Sequence, residues 1–415
     1  MHRRCGFALM PDIKSLLSKI RTTFVGPVDL LGLDIGSYAV KAVMLQVDKQ
    51  GCRLLNWAYA PLGLKADASP EERKLVASKT IMDILAPKGM DKRPVAVSVS
   101  GNSVIVRYVK LNRYTRQELE PIIASEAEPY IPFDIREVNL AFHILRELEE
   151  EGKRKIEIAL VAAKKQLLDE HLDIVTSAGL LPLVVDVDAF ALESLNERLG
   201  NTEEGPAIML VNIGHKVTNV AILEKGLTRV SRDIFVAGLA FNKSIAKNLK
   251  IDLLVAEQLK HKWGLSLEQP QAPAELQIIP GAGKPSAIAG EDVAAGLSGA
   301  EDAPGLSKAD QERMQVSAAL REVLKDLVNE TRRSVDFFLS QGHKRSIKKI
   351  LLAGGSANLK NLPEFLAGEL KVPVEVLNPL AIRTNVLPEE PPADLLPDLC
   401  VATGLALRRV GDGAK

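Results

Sequence analysis

Apolar and polar positions along the chain follow two periods, and together they predict a mixed α/β protein. Runs of about four to eight apolar or alternating residues predict strands, and apolar residues three and four positions apart predict helices. The predicted strands are 30–45 (with an internal turn), 46–61, 95–100, 104–111, 138–148, 155–163, 180–187, 207–213, 218–223, 228–236, 347–353 and 372–376. The predicted helices are 71–85, 115–126, 166–178, 189–199, 240–249, 253–263, 312–341, 361–370 and 397–409.

One motif occurs twice along this pattern. A strand, a glycine turn and a second strand are found near Asp34 and again near Gly214. The spacing is far too long for a solenoid repeat. It predicts two related α/β lobes that face each other across a cleft, and a length of 415 residues also favours more than one core.

Two segments fall outside this pattern. In residues 1–27, Ile13, Leu16, Leu17 and Ile20 lie on one helical face, which fits a membrane-surface helix or a short capping helix or leader. We favour the capping helix or leader, because one short apolar stripe is weak evidence. Residues 265–309 are rich in Ala, Pro, Gly and Gln without periodicity, which predicts a flexible insertion.

Composition excludes several classes of protein. Fifty-three basic and 53 acidic side chains give zero net charge, which argues against nucleic-acid binding. Three cysteines without a CxxC spacing argue against a disulfide scaffold or a zinc site and favour a reducing cytoplasm. No stretch of about 20 apolar residues predicts a transmembrane helix.

The first glycine turn, residues 32–37, carries candidate phosphate chemistry. Gly36 allows backbone N–H groups to approach an anion, and Ser37 adds a hydroxyl donor. Lys41 could reach a phosphate as a point charge, and Asp34 could hold magnesium through its water shell. Taken alone, the segment is equally a plain hairpin turn.

Two later turns extend the pattern. Residues 212–218 offer a matching cradle from the opposite lobe, where His215 is interpreted as a loop residue and not as a catalytic base. Residues 353–358 follow an apolar strand, and the glycines there permit a flat group such as adenine to lie against the backbone. Each turn alone could be structural, but their order, with Asp186 and Asp188 between them, is specific.

Six segments carry a resemblance to a known family. They are LLGLDIGSYAVKAVML, ELEPIIASEAEPYIPFDIREVNLAFHIL, VAAKKQLLDEHLDIVTSAGLLPLVVDVDAFAL, NIGHKVTNVAIL, VSRDIFVAGLAFNKSIAKNLKI and ILLAGGSANLKNLPEFL. Together they span nearly all of the chain between Leu30 and Arg409 outside the predicted insertion. They resemble the actin-like ATPase superfamily, and within it the PilM family of type IV pilus assembly proteins, itself similar to FtsA.

The resemblance implies an α/β, actin-like (ribonuclease H-like) two-lobed fold with a small subdomain inserted in the first lobe. The implied divisions are the first lobe with the first phosphate loop (28–93), the inserted subdomain (94–181), the bridge of the first lobe (182–204), the second lobe containing the 265–309 insertion (205–378) and a C-terminal return to the first lobe (379–415).

The resemblance also assigns roles to residues. The first phosphate loop would comprise Asp34 (holding magnesium through water), Gly36, Ser37 and Lys41. The second phosphate loop would comprise Asn212, Gly214, His215 and Thr218. The adenosine would contact Gly354, Gly355 and Ser356. Glu257 and Lys260 would contact the ribose and base, although an exposed charge pair on one helix face is nearly as good an interpretation.

The function implied by the resemblance is a cytoplasmic scaffold that binds ATP and magnesium at the inner face of the inner membrane. It would bind the N-terminal cytoplasmic peptide of PilN in the type IV pilus platform. Other platform proteins and motor ATPases are further candidate partners.

One residue departs from the superfamily pattern. Asn212 stands where the wider superfamily usually has aspartate, and an amide cannot act as a carboxylate base. We therefore expect nucleotide binding with slow or no hydrolysis. An active, polymerising FtsA-like ATPase is the alternative function. A small-molecule kinase using Asp186 or Asp188 as its base is more remote.

Overall fold

The computed structural model describes residues 29–48, 51–65, 68–201, 205–267, 307–342 and 345–409. The predicted leader at 1–27 lies outside these ranges, as does nearly all of the predicted insertion at 265–309.

The strands are β1 (Leu31–Ile35), β2 (Ala39–Asp48), β3 (Gly51–Pro61), β4 (Pro94–Val99), β5 (Val104–Asn112), β6 (Val138–Glu150), β7 (Lys153–Lys164), β8 (Leu181–Val187), β9 (Ala207–Ile213), β10 (Thr218–Glu224), β11 (Leu227–Ile234), β12 (Ile347–Ala353) and β13 (Val374–Val376). The α-helices are α1 (Pro70–Leu85), α2 (Arg116–Leu119), α3 (Ile123–Ala127), α4 (Lys165–Ser177), α5 (Asp188–Arg198), α6 (Gly238–Leu249), α7 (Leu253–Trp263), α8 (Lys308–Ser340), α9 (Leu362–Leu370) and α10 (Cys400–Ala406). Across the described ranges, none of the helices has both the length and the apolar character needed to cross a bilayer.

Two five-stranded sheets share one plan, which confirms the duplication predicted from the sequence. Their strand orders are β3-β2-β1-β4-β8 and β11-β10-β9-β12-β13. In each, three antiparallel strands joined in sequence are extended by two parallel strands. The central strands β1 and β9 are buried along nearly their whole length, as expected for strands covered on both faces.

The C-terminal helix α10 ties the first lobe together. It packs against β1 and α5, and all seven of its residues are buried. Gly404 makes this possible, because a Cβ at that position would lie 1.9 Å from the carbonyl oxygen of Ala191 on α5. The predicted amphipathic helix at 397–409 was therefore wrong in two respects. A 3-10 helix, Ala393–Leu399, precedes a shorter α-helix, and α10 has no solvent-facing side.

The third sheet, β5-β7-β6, has its own small apolar core. Its hairpin closes through Glu151 and Gly152, whose φ values of 53° and 71° are those of a tight two-residue turn. The sheet occupies a narrower range than the predicted subdomain at 94–181. Strand β4 lies in the first sheet, parallel to β1, and the turn at Gly101 leads from it into β5 of the three-stranded sheet.

Two further predictions required correction. The helix predicted at 115–126 is split into α2 and α3, with Pro121 between them. Proline lacks a backbone N–H and its ring clashes with the preceding turn, which explains the break. Leu265, assigned to the flexible insertion, is buried in the core of the second lobe, and α8 begins at Lys308 after an N-cap at Ser307.

Candidate functional site

A cavity of about 540 Å³ lies where the turns of the two large sheets meet. It brings together most of the residues predicted from the sequence, although they come from both halves of the chain. The predicted residues that line it are Asp34, Gly36, Ser37, Lys41, Asp188, Asn212, Gly214, His215, Glu257, Lys260, Gly354, Gly355 and Ser356.

The first turn joins β1 to β2 and presents an ion pair. Asp34 and Lys41 are opposite each other in the antiparallel register, and Nζ of Lys41 lies 3.1 Å from Oδ2 of Asp34. Burial destabilises the charged ammonium and so lowers the pKa of Lys41. The negative charges of Asp34 and Asp398 together have the larger effect, and the pKa of Lys41 is raised. Lys41 is therefore a fixed positive charge inside the cavity.

The second turn joins β9 to β10 and faces the first. Gly214 donates its N–H to the carbonyl of Val217 at 3.0 Å, which closes the turn. The ring of His215 lies 5.3 Å from the ring of Tyr38, so the two turns touch across the cavity. Burial lowers the pKa of His215 to about 4, so the imidazole is neutral at physiological pH.

The third turn follows β12 and requires glycine. Gly354 has a φ of +81°, and a Cβ there would lie 2.6 Å from Oδ1 of Asn212. Its N–H donates to the carbonyl of Pro397 at 2.8 Å, which links this turn to the C-terminal return. The backbone of the third turn therefore packs closely against the second turn, and only glycine leaves room for that contact.

Helix α7 supplies a second positive charge. Lys260 is 5% exposed, and its ammonium lies 3.9 Å from the Glu257 carboxylate, beyond hydrogen-bond distance. Burial lowers the pKa of Lys260. The alternative interpretation, a charge pair on an exposed helix face, is therefore wrong for the lysine, which points into the protein and lines the cavity.

Of the two bridge aspartates, one lines the cavity. Asp188 accepts a hydrogen bond from Oγ of Ser98 at 2.6 Å, and burial followed by the charge of Asp34 raises its pKa to about 6. Asp186 does not line the cavity. It is fully buried and forms an ion pair with Arg408, so its role is structural.

Thr218 is the other predicted residue that lies away from the cavity. Its side chain is fully buried, and its hydroxyl donates to the carbonyl of Val236 at 2.7 Å. Thr218 is the first residue of β10 and pairs with Ile213, the last residue of β9, so it supports the second turn on the side away from the cavity. A residue that the resemblance placed in the second phosphate loop thus stabilises the strand and does not line the cavity.

Asp398 also lines the cavity, although no sequence pattern predicted it. It comes from the 3-10 helix before α10, and burial raises its pKa to about 6 although Lys41 opposes the shift. A lone aspartate between Pro397 and Leu399 has no pattern that would identify it. The residues that line the cavity thus include five with carboxylates, Asp34, Asp188, Glu257, Asp394 and Asp398, and three lysines, Lys41, Lys216 and Lys260.

Comparison with known proteins places this geometry in a family. The family model described as type IV pilus assembly protein PilM matches residues 32–270 and 310–410. A chain of a solved PilM–PilN type IV pilus biogenesis complex is 26% identical, with a TM-score of 0.71, covering 94% of this chain and 100% of that chain. The actin-like fold class predicted from the sequence is confirmed.

Two more distant relatives match a smaller part of the chain or have a lower structural similarity to it. Cell division protein FtsA of Staphylococcus epidermidis is 29% identical over 119 residues, which are 29% of this chain and 25% of FtsA. The ethanolamine utilization protein EutJ of Carboxydothermus hydrogenoformans is 14% identical with a TM-score of 0.47, covering 96% of this chain and 97% of EutJ.

The PilM family model matches most of the length of this chain. The chain therefore belongs to the type IV pilus assembly protein PilM family.

Proposed function

We propose that this protein is an ATP-binding, actin-like scaffold of the type IV pilus inner-membrane platform, and that it binds the N-terminal cytoplasmic peptide of PilN. It hydrolyses ATP slowly or not at all. The observation that carries the nucleotide part is the meeting of three glycine turns around one cavity that contains Lys41 and Lys260.

Several features of the cavity favour a nucleotide. Its volume falls within the range of roughly 300–1,000 Å³ usual for small-molecule sites. The two facing turns offer backbone N–H groups to phosphates, and Lys41 supplies a point charge between them. Gly354 and Gly355 line the cavity, as does Lys260, and together they would contact the adenosine.

Magnesium fits the same geometry. Asp34 lines the cavity and pairs there with the ammonium of Lys41, which would turn toward the phosphates when a nucleotide is bound. Magnesium in nucleotide sites is usually held by one or two carboxylates, waters and the phosphates themselves. When bound, the ion would neutralise phosphate charge, which the carboxylates that line the cavity would otherwise repel.

Slow hydrolysis is supported by the second turn. Asn212 lines the cavity where a carboxylate would order the attacking water, and an amide oxygen can accept a hydrogen bond but cannot take a proton. Asp188 is already held by Ser98. The residues of this cavity are therefore better suited to binding and orienting a nucleotide than to activating water.

Membership of the PilM family supports the proposed partner and location. The solved relative is a PilM–PilN complex that covers 94% of this chain, which supports PilN as the partner. That partner would place the protein at the cytoplasmic face of the inner membrane. Other platform proteins and motor ATPases belong to the same proposal.

The nucleotide site can be tested by thermal unfolding with and without MgATP. A ligand that binds only the folded state stabilises it by about 2.7 kcal/mol at a hundredfold excess over Kd, so Tm should rise by a few degrees. Asp34→Asn should abolish most of that rise by removing the metal's carboxylate. Asp173→Asn, at an exposed surface pair on α4, should leave it unchanged. No rise in the native protein at millimolar MgATP would contradict the proposal.

A further inference from the structure

Three polar side chains form a row across the second sheet. In the strand register, Asn212 on β9 lies opposite Asn219 on β10, and Asn219 lies opposite Asp233 on β11. Nδ2 of Asn212 donates to Oδ1 of Asn219 at 2.9 Å, and Nδ2 of Asn219 donates to Oδ1 of Asp233 at 2.7 Å. We call these residues, with the backbone N–H of Gly101, the amide relay.

The last step of the relay crosses to the other lobe. The N–H of Gly101, in the turn between β4 and β5, donates to Oδ2 of Asp233 at 2.5 Å. Both carboxylate oxygens of Asp233 therefore accept hydrogen bonds, one from its own sheet and one from the first lobe. Burial raises the pKa of Asp233, while these two hydrogen bonds oppose the rise.

The direction of the relay follows from the chemistry of its end. A carboxylate only accepts, so Asn219 must turn its NH₂ toward Asp233. That leaves the oxygen of Asn219 facing Asn212, which must then turn its own NH₂ toward Asn219. The oxygen of Asn212 is the group that remains, and it lies beside the third turn, where a Cβ on Gly354 would approach it to 2.6 Å.

We infer that Asp233 is a positioning residue that fixes the Asn212 amide with its oxygen toward the cavity. The ligand group opposite Asn212 is then a hydrogen-bond donor, a water molecule or a hydroxyl, and not a phosphate oxygen. For the identity of that ligand, the inference rests on the proposed nucleotide site. The relay itself is a property of the protein alone.

The same logic explains why an acid at position 212 would not fit this chain. A new carboxylate there would face the oxygen of Asn219. Rotating the Asn219 amide would relieve that contact but would place its oxygen against Asp233. Exchanging both ends removes the conflict, because an asparagine at 233 can donate to the rotated Asn219 and still accept from Gly101.

The test is a double-mutant cycle read by thermal unfolding without nucleotide. Asn212→Asp should lower Tm by several degrees or prevent folding, Asp233→Asn should cost less, and the double variant should recover at least half of the loss. The control pairs Asn212→Asp with Asp188→Asn. It has the same net charge as the double variant and removes a cavity carboxylate outside the relay, so it should recover little.

Three results would overturn the inference: an unchanged Tm for Asn212→Asp, additive losses in the double variant, or equal recovery with Asp188→Asn. If Asn212→Asp alone does not fold, a folded double variant supports the relay and an unfolded one refutes it. Titration of the same variants with MgATP is a separate readout. Recovery of Tm in the double variant, together with no binding of MgATP by the native protein, would retain the relay and reject the proposed nucleotide site.

Discussion

At the scale of single residues, the least expected group is a carboxylate buried where the two lobes join. Glu193 on α5 is 7% exposed and accepts hydrogen bonds from the backbone N–H of Thr228, at 2.8 Å, and from its hydroxyl. Burial and then the neighbouring Asp186 raise its pKa to about 7, although Thr228 and Arg408 act in the opposite direction. The charges of Asp186 and Arg408 already neutralise each other. Protonation of Glu193 therefore leaves this buried cluster of three side chains without net charge.

This carboxyl predicts a pH-dependent stability. In the unfolded chain it titrates near 4.5, and in the folded chain near 7. Between these values the folded state holds a proton that the unfolded state has lost, so the free energy of unfolding falls as pH rises, by up to about 3 kcal/mol. Glu193→Gln should flatten this slope in urea unfolding between pH 4.5 and 7.5. Glu364→Gln, exposed on α9, should keep it; equal slopes in all three proteins would contradict the assignment.

Site residues that are close together in the sequence could be predicted from it. Asp34, Gly36 and Lys41 lie within eight residues of each other, so one turn and two strands suffice to bring them together. Asp398 and Asp233 reach their positions only through the return of the chain and the pairing of three strands. No local pattern encodes such contacts, which is why the cavity's extra carboxylate and the amide relay were not predicted.

At the scale of elements, the period of the apolar pattern and the length of each apolar segment predicted most helices and strands to within a few residues. The failures have local physical causes, namely Pro121 inside one predicted helix and complete burial of another, α10. A buried helix has no polar face, so an amphipathic pattern cannot define it. The packing of α10 against α5 depends instead on the missing side chain of Gly404.

Two helical glycines therefore predict opposite responses to the same substitution. Gly404→Ala places a methyl group 1.9 Å from the Ala191 carbonyl oxygen, and the cost should be at least about 2 kcal/mol. Gly368→Ala on α9 meets nothing within 4 Å and should stabilise the protein by roughly 0.5–1 kcal/mol through helix propensity. Urea unfolding of both variants measures the difference. A Gly404→Ala midpoint equal to the native one would show that the helices can separate without cost.

At the scale of the whole molecule, one apolar core joins the two lobes and the three-stranded sheet, and a few polar contacts add to it. Arg229 on β11 lies 3.1 Å from Glu157 on β7, and both side chains are largely buried. Glu157 also pairs with Arg146 at 2.7 Å, within the three-stranded sheet. A nucleotide that draws the two phosphate turns together would therefore act on β11 and, through Arg229, on that sheet.

For a PilN peptide that contacts the three-stranded sheet, the proposed function and this arrangement together predict that MgATP and the peptide bind cooperatively. A ligand shifts a conformational equilibrium only by its differential affinity for the two states, and the shift is reciprocal. Typical couplings correspond to about 5- to 150-fold in affinity. Fluorescence anisotropy of a labelled N-terminal PilN peptide should show tighter binding when MgATP is present, with a scrambled peptide as the control.

The coupling should depend on the contact that crosses between the sheets. Arg229→Gln breaks the pair between β11 and β7 and should reduce the effect of MgATP on peptide affinity, because the second lobe then moves without pulling on Glu157. Arg146→Gln removes the other partner of the same carboxylate, inside one sheet, and should leave the effect intact. Reciprocity supplies a second measurement, since the peptide must raise the affinity for MgATP by the same factor. Peptide binding that ignores MgATP in the native protein would mean that the nucleotide does not control the partner. Equal losses in the two arginine variants would assign the effect to the charge on Glu157 and not to the link between the lobes.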